Sequence, residues 1–371
     1  MKWAKGLSMI VIGIFLTVVI LPVWAKEGTQ RESGKTEEEQ RILTLEEVLK
    51  KCTENNLEIK KASLNFNNAK ISYQRGLSSY LQTGSKIDQE QTELSWERAR
   101  WTFERTKSQI RLGVISDYIN LKDLKAKLPL KKENVALAQR NLKRVKEKVK
   151  AGIAGKITAL GAEINLQSAQ QELNQIQRDL EAANKSFAYS TGIENSLQYD
   201  FVTGFEFKDS LATKSLDEYI QEALSKRKEI KFAQKEIEIA NLTVEKLKME
   251  NASSLDIDKA KNDLKLAQIA LEKQEEDIKE DVQNKYYNLK TVEEQISLQV
   301  IQLEKSKEEL ENARQQFQMG MIIKDDLTLK EISYRERKLN YEKSLGNYFV
   351  AYQNLLLAIG ESLNFEGINE N

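Results

Sequence analysis

Carboxylates are almost the only reactive side chains this sequence offers: 57 Asp and Glu stand against one cysteine, Cys52, and no histidine. That inventory removes imidazole and thiolate metal sites, Ser-His relays and any intramolecular disulfide. What remains is carboxylate chemistry, an acid/base pair or a metal held by acidic oxygens. The acids are spread along the whole chain, however, and no pair stands apart. No phosphate loop and no nucleophile beside a base is present, so an enzyme is not expected, nor a cofactor or metal. Cys52 lies on an amphipathic stretch and reads as a small packed hydrophobe. The positions that do stand out are Gly152 and Gly320, each followed by an apolar residue, Ile153 and Met321, with Asp325 and Asp326 just beyond the second. A glycine between two helical stretches closes the first through a left-handed turn. An aspartate opening the next helix meets unpaired N–H groups, so Asp326 reads as a cap.

The elements that carry these positions are long helices, and they occur twice. Thr44-Leu45-Glu46-Glu47 recurs as Ser215-Leu216-Asp217-Glu218 at an offset of 171, while Gly152, Lys156, Glu163 and Gly192 recur as Gly320, Lys324, Glu331 and Gly360 at an offset of 168. A period this long marks a duplicated supersecondary unit. Each half reads as a helix opened by a capping box, a tight turn, a much longer helix, a glycine turn and a third helix. The first half therefore predicts helices near 44–80, 88–150 and 156–191. The three-residue change of offset falls in the first turn, between about Gly76 and Gly84. Apolar residues step by three and four at Leu166, Ala169, Leu173, Ile176, Leu180, Ala183 and Phe187, the spacing of left-handed supercoiled packing. At ~1.5 Å per residue the long helix runs roughly 95 Å, and the two shorter ones laid end to end match it. An all-α fold of long antiparallel coiled-coil hairpins in two repeats follows. Pro129 inside the long helix predicts a lost hydrogen bond and a kink.

Composition agrees. Charged residues make up 31% of the chain with no net charge and only two prolines, which suits long helices and lacks the basic excess of a nucleic-acid binder. Lys2 and Lys5 precede an apolar run from Leu7 to Val23, and Ala25 closes it with a small residue. Residues 1–25 thus read as a signal peptide, with an uncleaved anchor as the rival reading; either way the chain is exported. The remaining parts are a polar linker at 26–42, a first repeat at 43–192, a connector at 193–213, a second repeat at 214–360 and a tail at 361–371. In the connector, alternating apolar residues around Gly204 predict a short strand or hairpin, and the polar tail is expected to fray.

From about Leu43 to Gly360 the pattern resembles the TolC family of outer-membrane efflux proteins. The resemblance rests on Leu43-Thr44-Leu45-Glu46-Glu47, the turns Ala151-Gly152-Ile153 and Met319-Gly320-Met321, and the closing Ser190-Thr191-Gly192 and Ala358-Ile359-Gly360. It implies a homotrimeric helical barrel protomer, a duct through the cell envelope at the outer membrane. It also implies partners: a membrane-fusion adaptor and an inner-membrane pump of ABC or RND type. By the same resemblance Gly152, Ile153, Gly320 and Met321 are adaptor-contacting tips, and Asp326 is a candidate for the tunnel constriction. The family's second constriction aspartate is replaced by Leu329. A larger departure is that the family inserts membrane strands between the first and second helix of each half. A spanning strand takes about 9–11 residues, and the gaps near 80–85 and 251–254 hold only turns. Two functions compete. One is an export duct; the other is a non-transporting coiled-coil scaffold of the envelope that keeps the fold without the transport role.

Overall fold

The computed structural model describes residues 42–202, 204, 205, 211, 213–363 and 368–369. The expected signal peptide at 1–25 and all but the last residue of the 26–42 linker lie outside the described residues. Everything described falls in one compact unit, Gln40–Asn371.

The first half comprises β1 (Ile42–Leu43), α1 (Leu45–Asn55), α2 (Leu57–Thr83), α3 (Lys86–Lys150) and α4 (Lys156–Thr191). After short strands β2 (Asp200–Phe201) and β3 (Gly204–Phe205) the second half follows: α5 (Leu216–Lys226), α6 (Lys228–Met249), α7 (Ser254–Gln318) and α8 (Lys324–Ala358). The long helices α3 and α7 each have 65 residues. α2 covers the first part of α3, where Phe66 stacks between Trp96 and Phe103 at 4.9 and 5.3 Å. α4 covers the remainder, where Lys131 meets Glu172 at 2.9 Å. This is the stacked two-stranded hairpin that helix lengths predict, built twice.

One expectation fails in both halves. The helix expected over 44–80 is two helices, broken at Asn56, and the second half breaks at the equivalent Arg227. Both residues take extended backbone, with ψ near 126°. The break lets each side chain reach the end of a distant helix. Asn56 Nδ2 donates to the Ser190 carbonyl at 2.9 Å, and Arg227 Nη1 donates to the equivalent Ala358 carbonyl at 3.3 Å. Those carbonyls lie in the last turn of α4 and α8, where a helix has no partner of its own to offer. Asn56 also caps α2, its Oδ1 accepting from Glu58 and Ile59 N–H at 3.0 and 3.1 Å.

The core sits around these breaks. Val48, Cys52, Leu121 and Phe187 are buried in the first half, and their equivalents Tyr219, Ala223, Leu289 and Leu355 form the matching cluster in the second. The halves meet where α3 packs on α8 through Leu130, Leu137 and Ile332. α3 also meets α6, through Leu94, Phe232 and Ile239.

Three local expectations change. Helix α3 runs unbroken through Pro129. The two connector strands do not form a hairpin: β2 pairs in parallel with β1, and β3 pairs antiparallel with β4 (Ile368–Asn369). Part of the tail expected to fray is thus held by a strand pairing. The turns that join the hairpins at their far ends are short, Gly84–Ser85 and 250–253, and every residue in them is described. No membrane-spanning strand is inserted there. No described helix is long and apolar enough to cross a membrane.

Candidate functional site

The two glycine turns are built alike. Helix α3 closes as Gly152 enters the left-handed region at φ 75°; its N–H bonds to the Val149 carbonyl and the Ile153 N–H to that of Lys148, at 3.1 and 2.9 Å. At the end of α7, Gly320 has φ 71°, its N–H meets Phe317 and the Met321 N–H meets Gln316, at 3.0 and 2.8 Å. This paired pattern satisfies carbonyls that the helix end leaves open. A Cβ at either glycine would meet nothing within 4 Å, so backbone conformation alone selects glycine.

The turn drives the next residue outward. Ile153 is 76% exposed and Met321 71% exposed. Ile157 and Leu160 extend the first apolar surface along α4, and Met319 and Ile323 flank the second. Sequence reading singled out only Ile153 and Met321. The signal for the others is an apolar run at a turn, where polar residues are the rule.

Beyond Gly320, Asp326 acts as a cap: its carboxylate accepts from the Ile323 N–H at 3.4 Å. Its neighbour Asp325 turns toward α3 and is held by Arg140 and Arg144 at 3.0 and 3.5 Å. Those bonds place both glycine turns at the same end of the molecule. The clamp was not legible in sequence, because the arginines lie more than 180 residues away.

Further along the same seam Lys131 sits between Glu172 of α4 and Glu336 of α8 at 2.9 and 2.8 Å. Burial pulls its ammonium down, but the two carboxylates outweigh that and hold its pKa above the usual lysine value. Asp123, with its side chain 4% exposed, is matched by Lys127 and Lys343 at 2.8 and 3.0 Å. It lines a cavity of about 580 Å³ between α3 and α8. Its charge is spent on these lysines. The tips therefore offer apolar contact surface, and the seam behind them offers fixed ion pairs.

No protein-family model matches the chain, and no curated protein matches it in sequence. Solved structures do. A membrane protein from Pseudomonas aeruginosa matches 86% of this chain and 90% of its own, with a TM-score of 0.63 and 12% identity. The CmeC outer membrane channel of Campylobacter jejuni matches 85% of each chain at 0.61 and 14% identity. The MtrE outer membrane channel of Neisseria gonorrhoeae, in its open state, matches 86% of this chain and 89% of its own at 0.57 and 15% identity. At these identities the likeness is one of fold, and it covers nearly the whole described body. The all-α, twice-repeated hairpin fold read from the sequence is the fold of these channels.

Proposed function

We propose that the chain is the duct component of an export system in the cell envelope, working as a homotrimer whose paired hairpins enclose a tunnel. The tips at Gly152–Ile153 and Gly320–Met321 dock on a membrane-fusion adaptor, which in turn joins an inner-membrane pump of ABC or RND type. The observation that carries this reading is the pair of exposed apolar tips at one end of a fold shared with outer membrane channels. Exposed apolar side chains grouped at one place mark an interaction surface. Asp326 stands as the constriction candidate: three copies around one narrow ring would attract cations. The chain needs no catalytic group for such a role.

The described hairpin turns at 84–85 and 250–253, too short for membrane strands, favour a second reading, the non-transporting envelope scaffold. Ile153→Asp and Met321→Asp separate the two. Both residues are exposed, so the thermal midpoint should stay within about 1 °C, since surface changes alter stability by less than about 0.5 kcal/mol. Under the duct reading each variant raises drug susceptibility, or removes a secreted protein, to the level of a strain lacking the gene. Wild-type export in both variants would sink the duct and favour the scaffold.

A further inference from the structure

Helices α3 and α8 pack closely at two levels and part between them. At Gly346 the α8 backbone sits so near α3 that a Cβ would lie 2.9 Å from the Ile119 side chain. Farther along, Leu130 and Leu137 of α3 close on Ile332. The stretch between holds the cavity of about 580 Å³, which Leu303 of α7 and Phe205 of β3 also line. Cavities that take small ligands span about 300–1,000 Å³ and set a few polar groups in an apolar wall. Here the apolar wall includes Phe205, Leu303, Leu339 and Leu345.

The polar part of the lining belongs to this seam and not to the repeat. Tyr334, Tyr341 and Lys343 stand where the equivalent helix α4 carries Leu166, Leu173 and Gln175. The hairpin itself therefore requires neither the tyrosines nor the charge. Positive charge is in excess: Lys122, Lys338 and Lys343 outnumber Asp123 and Glu342 on the wall. Asp123 already holds Lys127 as well as Lys343, at 2.8 and 3.0 Å, and Lys338 reaches Glu342 only at 3.9 Å. Burial pulls the Lys122 ammonium below the usual lysine value, and Glu342 offsets this only in part. An added anion would favour the charged lysine.

We infer that this cavity is a binding site for an organic anion with an apolar body, of the class of medium-chain carboxylates. The chain of such a ligand lies against Phe205, Leu303, Leu339 and Leu345, and its carboxylate faces Lys122 and Lys338. The hydroxyls of Tyr334 and Tyr341 supply donors that suit a carboxylate. Every wall belongs to one chain, so the inference stands apart from the trimer reading. A bound anion would join α3 of the first repeat to α7 and α8 of the second.

The test titrates the full chain with decanoate by calorimetry, in buffer without detergent. A single saturable site per chain is expected. Decanol, the same chain length without the charge, should bind roughly ten-fold more weakly, since a hydrogen bond between charged groups is worth about that much. Lys122→Gln and Lys338→Gln should each weaken decanoate and leave decanol unchanged. The Lys338 side chain is 58% exposed, so its variant keeps the fold whatever Lys122 contributes to the seam. Leu339→Trp and Leu303→Trp fill the cavity from two different helices and should abolish binding of both probes. No binding of decanoate, or binding that survives both tryptophans, would overturn the site. Decanol binding as tightly as decanoate would overturn the choice of an anion. None of these outcomes bears on the duct, because the cavity lies within one chain and away from the tips.

Discussion

At the scale of single residues, the helix-break positions hold the fold's most constrained polar contacts. Arg227 has its side chain 6% exposed and bonds Glu229 and Asp281 at 2.5 and 2.8 Å. Burial lowers its pKa, but the two acids more than compensate and the guanidinium stays charged. Arg227→Ala leaves Asp281 and the Ala358 carbonyl unanswered and Glu229 with Arg105 alone, so a loss of about 3 kcal/mol is expected, read as a lower midpoint in thermal unfolding. Asn56→Ala removes only a cap and one carbonyl contact, and about 1–2 kcal/mol is expected from the same measurement. Cys52 is fully buried, and burial, slightly opposed by the nearby Arg111, pushes its thiol up to about 11. Iodoacetamide at pH 8 should therefore label it only after unfolding. Neither break residue was legible as a break. Asn56 and Arg227 stand four residues after Cys52 and Ala223 and three before Ile59 and Ile230, in step with a continuous helix, and each reaches a carbonyl more than 130 residues away.

Elements obey more local rules. The caps at Thr44, Ser85, Ser215 and Ser253 form as their sequence implies, and α4 runs over Lys156–Thr191 as apolar spacing predicts. Both long helices end at a left-handed glycine. Gly320→Ala places a Cβ in that conformation and should cost about 1–2 kcal/mol, with Gly320→Asn milder because asparagine tolerates it better; thermal unfolding of the two would rank them. A larger loss follows from Phe187→Ala. That ring is wholly buried between helices, and truncation should cost about 3–5 kcal/mol. The connector strands escaped a local reading because each two-residue strand takes its partner from more than 150 residues away, not from its neighbour.

At the scale of the whole molecule the two repeats depend on each other. Leu130 and Leu137 of α3 are covered by Ile332 of α8, and β3 completes its pairing only with β4. The first repeat alone, residues 43–192, should thus melt well below the full chain by circular dichroism, and a midpoint equal to the full chain's would contradict this coupling. The sequence by itself determined the repeat, the extents of the long helices and of α4, the caps and the glycine turns. Apart from the repeat, which shows in the chain's match with itself, each depends on residues within a turn or two of one another, where spacing and backbone preference decide the outcome. It also determined the absence of room for membrane strands, since a gap of a few residues cannot span a bilayer. Only the tertiary structure decided where the first helices break, which way Asp325 turns and which partners the short strands take. Those depend on side chains that meet across more than a hundred residues of chain, and packing, unlike periodicity, has no local signature.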